Sequence, residues 1–225
     1  MSVVVPTSSF DFLKKLKKNN HRDWMQEHKK EYQASEADLK SFYTEVEAGL
    51  NENDEIGKTK VFRINRDIRF SKDKTPYNVH RSVSFSRAGA HRRGGYYLRL
   101  EPGNSAMAGG FFGPEPADLL RIRKEFEMDA AQIRKILAAP EFQKAFGGFV
   151  QERAVKTAPK GFSKEHANID LIKLKSYIVV HNFTDAEVHA KDFKDKVVHH
   201  FELLRPFFDY MSEVLTTDLN GVSLL

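Results

Sequence analysis

Two different hydrophobic periodicities divide the chain, and this division is the strongest constraint on its fold. Towards both ends, apolar residues recur at three- and four-residue spacing, as in Phe42, Val46 and Leu50, which is typical of amphipathic helices. In the middle, apolar and polar residues alternate, most clearly over residues 79–86, and turn signals such as Pro102-Gly103-Asn104 separate the alternating segments. The sequence therefore predicts an α+β fold with a mostly antiparallel β-sheet packed against N-terminal and C-terminal helices.

The same patterns predict the domain organisation. No low-complexity tract or linker divides the chain, so we expect a single domain over residues 1–225. Asn20 is expected to cap the second helix, and Pro206 predicts a kink or a break in the last helical segment. The expected regions are helical at 8–50, β-rich at 60–113, and helical with one strand at 116–219. The expected strands are 61–65, 79–86, 95–101, 105–112 and 175–183.

Composition excludes several classes of chemistry. The chain has no cysteine, which excludes disulfides, thiolate nucleophiles, iron–sulfur clusters and cysteine zinc sites. Residues 1–6 are too short and too uncharged for a signal peptide, and no apolar stretch is long enough to span a membrane. We therefore expect a cytoplasmic protein without membrane contact. The nine histidines form no metal signature, and no cofactor is indicated; His80 and His181 would suit proton transfer if their strands were neighbours.

Positive charge is concentrated in one segment. Residues 58–99 hold twelve lysines and arginines and two acidic residues, a net charge of +10, whereas the rest of the chain carries −5. Such clustering is typical of surfaces that bind phosphate, carboxylate or nucleic acid.

The densest part of that segment runs from Arg63 to His80 and admits two interpretations. Guanidinium groups bind carboxylate or phosphate with two parallel hydrogen bonds, which favours a pocket for an anionic small molecule. Alternatively, the aspartates pair with the arginines and hold the loop against the sheet. The candidate ligand-binding residues are Arg63, Arg66, Arg69, Lys74, Tyr77 and His80. The residues expected to position the loop are Asp67, Asp73 and Pro76.

Two further readings stay open. The whole basic segment 58–99 is an alternative surface for nucleic acid or an acidic partner, although the loop Arg87–Gly95 is expected to be a solvated hairpin. The other alternative is a structural protein that binds no ligand. No complete catalytic motif is present: Gly57-Lys58-Thr59 lacks the first glycine of a phosphate-binding loop, because position 52 is Glu52. The sequence indicates neither a reaction nor an oligomeric state.

Several specific strings resemble one known family. The chain is similar to the bacterial, archaeal and fungal proteins grouped as domain of unknown function 2461, over nearly its whole length. The family's usual aromatic residue after Trp24 is replaced by Met25, and its usual basic residue after Tyr77 by Asn78. The resemblance implies no activity, but so particular a polar order favours a pocket, because a simple turn does not require it. The resembling strings are Phe12-Leu13, Asn19-Asn20 through Trp24, Arg66 through Tyr77, Gly109-Gly110, Pro159 through Phe162, and Leu174-Lys175.

Overall fold

A computed structural model describes residues 3–218 and 220–225. Helices occupy both ends of the chain, and strands occupy the middle, as the two periodicities predict. The strands are β1 (Ile56–Val61), β2 (Arg81–Arg87), β3 (Gly95–Leu100), β4 (Ser105–Phe111) and β5 (Tyr177–Phe183). The helices are α1 (Thr7–Lys18), α2 (Arg22–Glu27), α3 (Lys29–Leu50), α4 (Pro116–Met128), α5 (Ala131–Leu137), α6 (Pro140–Phe146), α7 (Ile169–Ile172), α8 (Asp185–Val188), α9 (Phe193–Glu202) and α10 (Arg205–Thr216).

The five strands form one antiparallel sheet in the order β1-β2-β3-β4-β5. Each strand lies beside its neighbour in sequence, so the sheet is a meander, and the helices α4 to α7 fill the long connection between β4 and β5. The predicted α+β fold with a mostly antiparallel sheet is confirmed. In the described residues, no helix is both long enough and apolar enough to cross a membrane.

Contacts between Cα atoms group the chain into two compact units. The first contains 1–85, 97–107 and 182–199, and the second contains 86–96, 108–181 and 200–225. The single domain over 1–225 therefore stays a prediction. Residues 1 and 2, and residue 219 at the predicted end of the C-terminal region, lie outside the described residues.

The first predicted strand, 61–65, is wrong in position. β1 begins earlier, at Ile56, and ends at Val61. Beyond that point the chain turns away to pair with the end of the cationic stretch, where Asn65 forms an isolated antiparallel bridge with Tyr77. The alternation of Phe62 and Ile64 with polar residues therefore reflects this short pairing and not a strand of the main sheet.

Each unit has an aromatic core, as expected from eighteen phenylalanines. In the first unit the rings of Phe42 and Phe193 are stacked with centroids 5.4 Å apart. In the second, Tyr96 on β3 packs against Phe201 and Phe208 at 4.9 and 5.0 Å. Those two phenylalanines belong to different helices, α9 and α10, because the helical segment is broken before Pro206, as predicted.

Candidate functional site

The cationic stretch forms a closed loop on a short two-stranded base. The Arg66 amide donates to the Pro76 carbonyl at 2.8 Å, and the Asn78 amide donates to the Ile64 carbonyl at 2.7 Å. These bonds flank the Asn65–Tyr77 bridge. The base brings the two ends of the loop together, so residues 66–76 protrude as one unit.

Asn20 fastens this base to the N-terminal helices. Its side-chain Nδ2 donates to the Tyr77 carbonyl at 2.9 Å, and its Oδ1 accepts from the Tyr77 amide at 3.1 Å. The amide side chain thus acts as a strand partner for Tyr77. Asn20 does not cap α2 as expected, because His21 occupies the cap position and accepts from the Trp24 amide.

Arg66 and Asp73 cross-link the inside of the loop. Arg66 Nη1 donates to Asp73 Oδ2 at 2.5 Å, to the Thr75 carbonyl at 3.0 Å and to the Thr75 hydroxyl. Asp73 Oδ1 accepts from the Thr75 amide at 2.9 Å. These hydrogen bonds, first those from Thr75 and then that from Arg66, lower the pKa of Asp73. Arg66 and Asp73 thus hold the two sides of the loop together.

A second pair holds the exposed side of the loop. Arg69 donates from Nε and Nη2 to the two carboxylate oxygens of Asp67, at 3.0 and 2.6 Å, and this fork lowers the pKa of Asp67. Lys74 Nζ donates to the Ile68 carbonyl at 3.0 Å. Phe70, at the tip, is 95% exposed, with the Arg69 guanidinium 5.9 Å from its ring centroid. The loop is therefore ordered by its own ion pairs while its tip stands in solvent.

A cleft of about 410 Å³ opens beside the base of the loop, within the first unit. Its walls come from the end of β1, the loop base, the start of β2 and the middle of β3. The lining residues are Phe62, Arg63, Asn65, Arg66, Asp67, Asn78, His80, Arg81, Ser82 and Tyr97.

Arg63 is the unmatched charge of this cleft. Over residues 3–218 and 220–225, no hydrogen bond or ion pair reaches its exposed side chain. Arg66 is paired with Asp73, and Arg81 is paired with Glu36. Asp67, the one carboxylate of the lining, is occupied by Arg69. Arg63 therefore leaves one positive charge without a direct partner at the mouth of the cleft.

His80 supplies a neutral ring to the cleft near pH 7. Burial lowers its pKa below the ordinary value of 6.5. The carboxylate of Glu101 opposes that shift, whereas the charges of Arg99 and Arg81 add to it. At neutral pH the ring can donate or accept a hydrogen bond but adds no charge.

Arg81 was missing from the residues selected on sequence. Its guanidinium makes a two-point ion pair with Glu36 of α3, with distances of 2.5 and 2.7 Å, and the Arg81 side chain is only 3% exposed. This pair ties the start of β2 to α3 beneath the cleft. The sequence did contain a signal, because Arg81 alternates with Val83 and Phe85 and so occupies the apolar face of its strand.

The basic loop after β2 is not a solvated hairpin. Arg87 is buried and donates to Asp209 Oδ1 at 2.8 Å. Arg93 pairs with Asp118, and its amide donates to the Ser212 hydroxyl at 2.8 Å. Both arginines are held by helices of the second unit, so they are not open cations of an extended basic surface.

The histidines do not form the pair considered from the sequence. His80 lies just before β2, and His181 lies on β5, whose sheet neighbour is β4. The ring of His181 instead lies 4.1 Å from that of His200, centroid to centroid. Among the described residues, no three His, Cys, Asp or Glu side chains are grouped to hold a metal ion.

The structure therefore brings together part of the predicted ligand-binding set. Arg63, Arg66 and His80 line the cleft, and Asp67 lines it too. Arg69 and Lys74 are engaged within the loop, and Tyr77 serves through its backbone, so these three lie outside the cleft lining. Asp67, Asp73 and Pro76 each form hydrogen bonds within the loop, and their loop-positioning role stays a prediction.

Fold and site together define a class: an α+β protein whose meander sheet carries a cationic loop beside a polar cleft. The chain belongs to the DUF2461 family of conserved hypothetical proteins, whose model matches residues 8–210. The resemblance in the Arg66–Tyr77 string and its companions is thereby confirmed. Neither the curated proteins nor the solved structures contain a match.

Proposed function

We propose that the cleft binds an anionic small molecule carrying a phosphate or carboxylate group. The observation that carries this proposal is Arg63, whose exposed guanidinium makes no hydrogen bond or ion pair with the described residues and lines a cleft of about 410 Å³. Small-molecule sites commonly measure about 300–1,000 Å³ and hold a few convergent polar groups. We also propose that the protein is cytoplasmic, as its composition predicts.

The surroundings of Arg63 favour an anion over a cation. Asp67 is the one carboxylate of the lining, and Arg69 already holds both of its oxygens. Arg66 also lines the cleft, and its hydrogen bonds to Asp73 and Thr75 fix the position of its guanidinium before a ligand binds. In this role Arg63 contacts the anion, Arg66 adds positive potential, and His80 offers a neutral hydrogen-bonding ring.

A broad basic surface for nucleic acid or an acidic partner has less support. Arg81, Arg87 and Arg93 supply three of the twelve cations in residues 58–99, and each is paired with a carboxylate. A scaffold without a ligand would account for the loop's internal ion pairs, but it gives no reason for an unpartnered arginine in a cleft.

Calorimetric titration with inorganic phosphate, pyrophosphate and succinate at low ionic strength tests the proposal. We expect at least one of them to bind, and Arg63→Gln to weaken it on the order of 10-fold, as for loss of one charge-assisted hydrogen bond. Arg22→Gln is the matched control, because Arg22 is also exposed and lies outside the cleft. The proposal fails if none of the three anions binds, or if both variants weaken binding equally.

A further inference from the structure

We propose that the anion bound in the cleft is a nucleotide, with its phosphate at Arg63 and its base against Phe62 and Tyr97. This inference rests on the proposed function and names the ligand class of the same site. A nucleotide is here defined by its chemistry, a phosphate and a planar aromatic base joined by a sugar, whether free or within a single strand.

Two aromatic rings form a wall of the cleft. Phe62 and Tyr97 both line it, and their rings meet edge to face with centroids 6.0 Å apart. Neither ring is buried, whereas Tyr96 and Leu98, the neighbours of Tyr97 on β3, are fully enclosed. The alternation of β3 thus turns Tyr97 to the open side of the sheet, where a bound ring has access to it.

Ser82 of β2 lies in the cleft together with these rings. β2 lies between β1 and β3, and the Phe62 amide donates to the Ser82 carbonyl at 2.9 Å. Ser82 lines the same cleft as the two rings, and its small side chain leaves space beside them. Ser82 is 4% exposed, which is consistent with a position on the floor of the cleft.

Positive charge and hydrogen-bonding groups surround the rings. Lys60 Nζ lies 5.0 Å from the Phe62 ring centroid, and Arg63 follows Phe62 directly. The side-chain amides of Asn65 and Asn78 also line the cleft, and over the described residues 3–218 and 220–225 neither makes a hydrogen bond. An amide offers both a donor and an acceptor, which matches the edge of a base or the hydroxyls of a sugar.

An anion alone needs neither the amides nor the aromatic rings. A phosphate or carboxylate would be satisfied by the hydrogen bonds of Arg63, whereas partly exposed rings beside cations are the arrangement by which sheet surfaces stack nucleobases. The cleft supplies all three parts of nucleotide recognition on one face: a cation, free amides and aromatic rings.

The test compares ligands that carry the same phosphate with and without a base. Ribose 5-phosphate, the four ribonucleoside 5′-monophosphates and an eight-residue oligoadenylate are titrated calorimetrically into the protein. We expect the preferred monophosphate to bind on the order of 10-fold more tightly than ribose 5-phosphate, because the stacking of its base adds about this much affinity. Tyr97→Leu should weaken binding of the preferred monophosphate on the order of 10-fold, and circular dichroism with urea denaturation shows that the variant is folded.

The outcomes separate this inference from the proposed function. Equal binding of ribose 5-phosphate and every monophosphate overturns the nucleotide but leaves the anion site standing. No binding of any phosphate compound overturns both. The inference also falls if Phe112→Leu, which changes an exposed ring outside the cleft, reduces monophosphate binding as much as Tyr97→Leu does. Oligoadenylate that binds more tightly than AMP identifies a strand as the source, whereas equal affinity identifies the free nucleotide, and both results support the inference.

Discussion

At the scale of single residues, His80 links the charge of the cleft to pH. Its pKa lies below 6.5 because it is partly buried, with Arg99 and Arg81 nearby and Glu101 opposing them. As the pH falls, the unfolded chain takes up this proton before the folded protein does. The free energy of unfolding therefore falls as the pH drops from 6.5 to the depressed pKa of His80, and it stays lower below that pKa. Above pH 6.5 His80 causes no such loss.

Protonation of His80 should tighten anion binding. Sulfate is the suitable probe because it keeps its charge through this pH range, whereas phosphate titrates within it. We expect the affinity for sulfate to rise on the order of 3- to 10-fold as the pH falls from about 7.5 through the depressed pKa of His80, because its imidazolium adds a positive charge to the cleft that Arg63 lines. Titration calorimetry at several pH values measures this rise.

His80→Gln is the control for that pH dependence. Glutamine keeps a hydrogen-bonding side chain but does not titrate, so its sulfate affinity should stay nearly constant over the same range. A variant that retains the full pH dependence would assign it to another group and remove His80 from the site.

At the scale of elements, the loop depends on the clamp that Asn20 makes. Asn20→Ala removes both hydrogen bonds to Tyr77 and leaves a part-buried amide and carbonyl unpaired. We expect the free energy of unfolding to fall by about 1–2 kcal/mol in urea denaturation. The loop should also open more readily, which proteolysis near the Arg66–Pro76 bond would detect.

Asn19→Ala provides the comparison. Asn19 is the neighbouring residue, and its side chain donates only to the Lys15 carbonyl at the exposed end of α1. Its loss should cost less than about 0.5 kcal/mol, because its one side-chain hydrogen bond is exposed to solvent. Equal losses for the two variants would mean that the clamp does not hold the loop base.

The elements also show what local pattern can predict. β2 to β5 and the break before Pro206 follow from alternation, turns and helical spacing within a few residues. β1 was misplaced because the alternation around Phe62 and Ile64 belongs to pairing with Tyr77 and Asn78. The role of Asn20 was missed for the same reason, since its partner lies 57 residues away. Long-range pairing of this kind leaves no periodicity in one sequence.

At the scale of the whole molecule, the basic segment is neutralised by carboxylates from elsewhere in the chain. Arg81 forms an ion pair with Glu36, 45 residues away in sequence, and Arg87 forms one with Asp209, 122 residues away. The sequence therefore identified a charged segment correctly but could not tell which cations stay open. Of the predicted set, Arg63 makes no ion pair or hydrogen bond with the described residues, while Arg66 and Arg69 pair with aspartates close in sequence.

The Arg81–Glu36 pair should be the most costly of these to break. Glu36→Gln leaves a guanidinium that is 3% exposed without its counter-charge, which typically costs about 3–5 kcal/mol of unfolding free energy. Urea denaturation monitored by circular dichroism measures the loss. Glu31→Gln is the control on the same helix, because Glu31 pairs with Lys15 at side-chain exposures of 47% and 55% and should contribute less than about 1 kcal/mol.

A double variant separates the charge from the packing. Glu36→Leu combined with Arg81→Met removes both ions and keeps bulk in their place, so much of the stability lost in Glu36→Gln should return. If the double variant is as unstable as Glu36→Gln, the unpaired buried charge is not the cause of the lost stability. The contact between β2 and α3 then depends on the shape of the side chains.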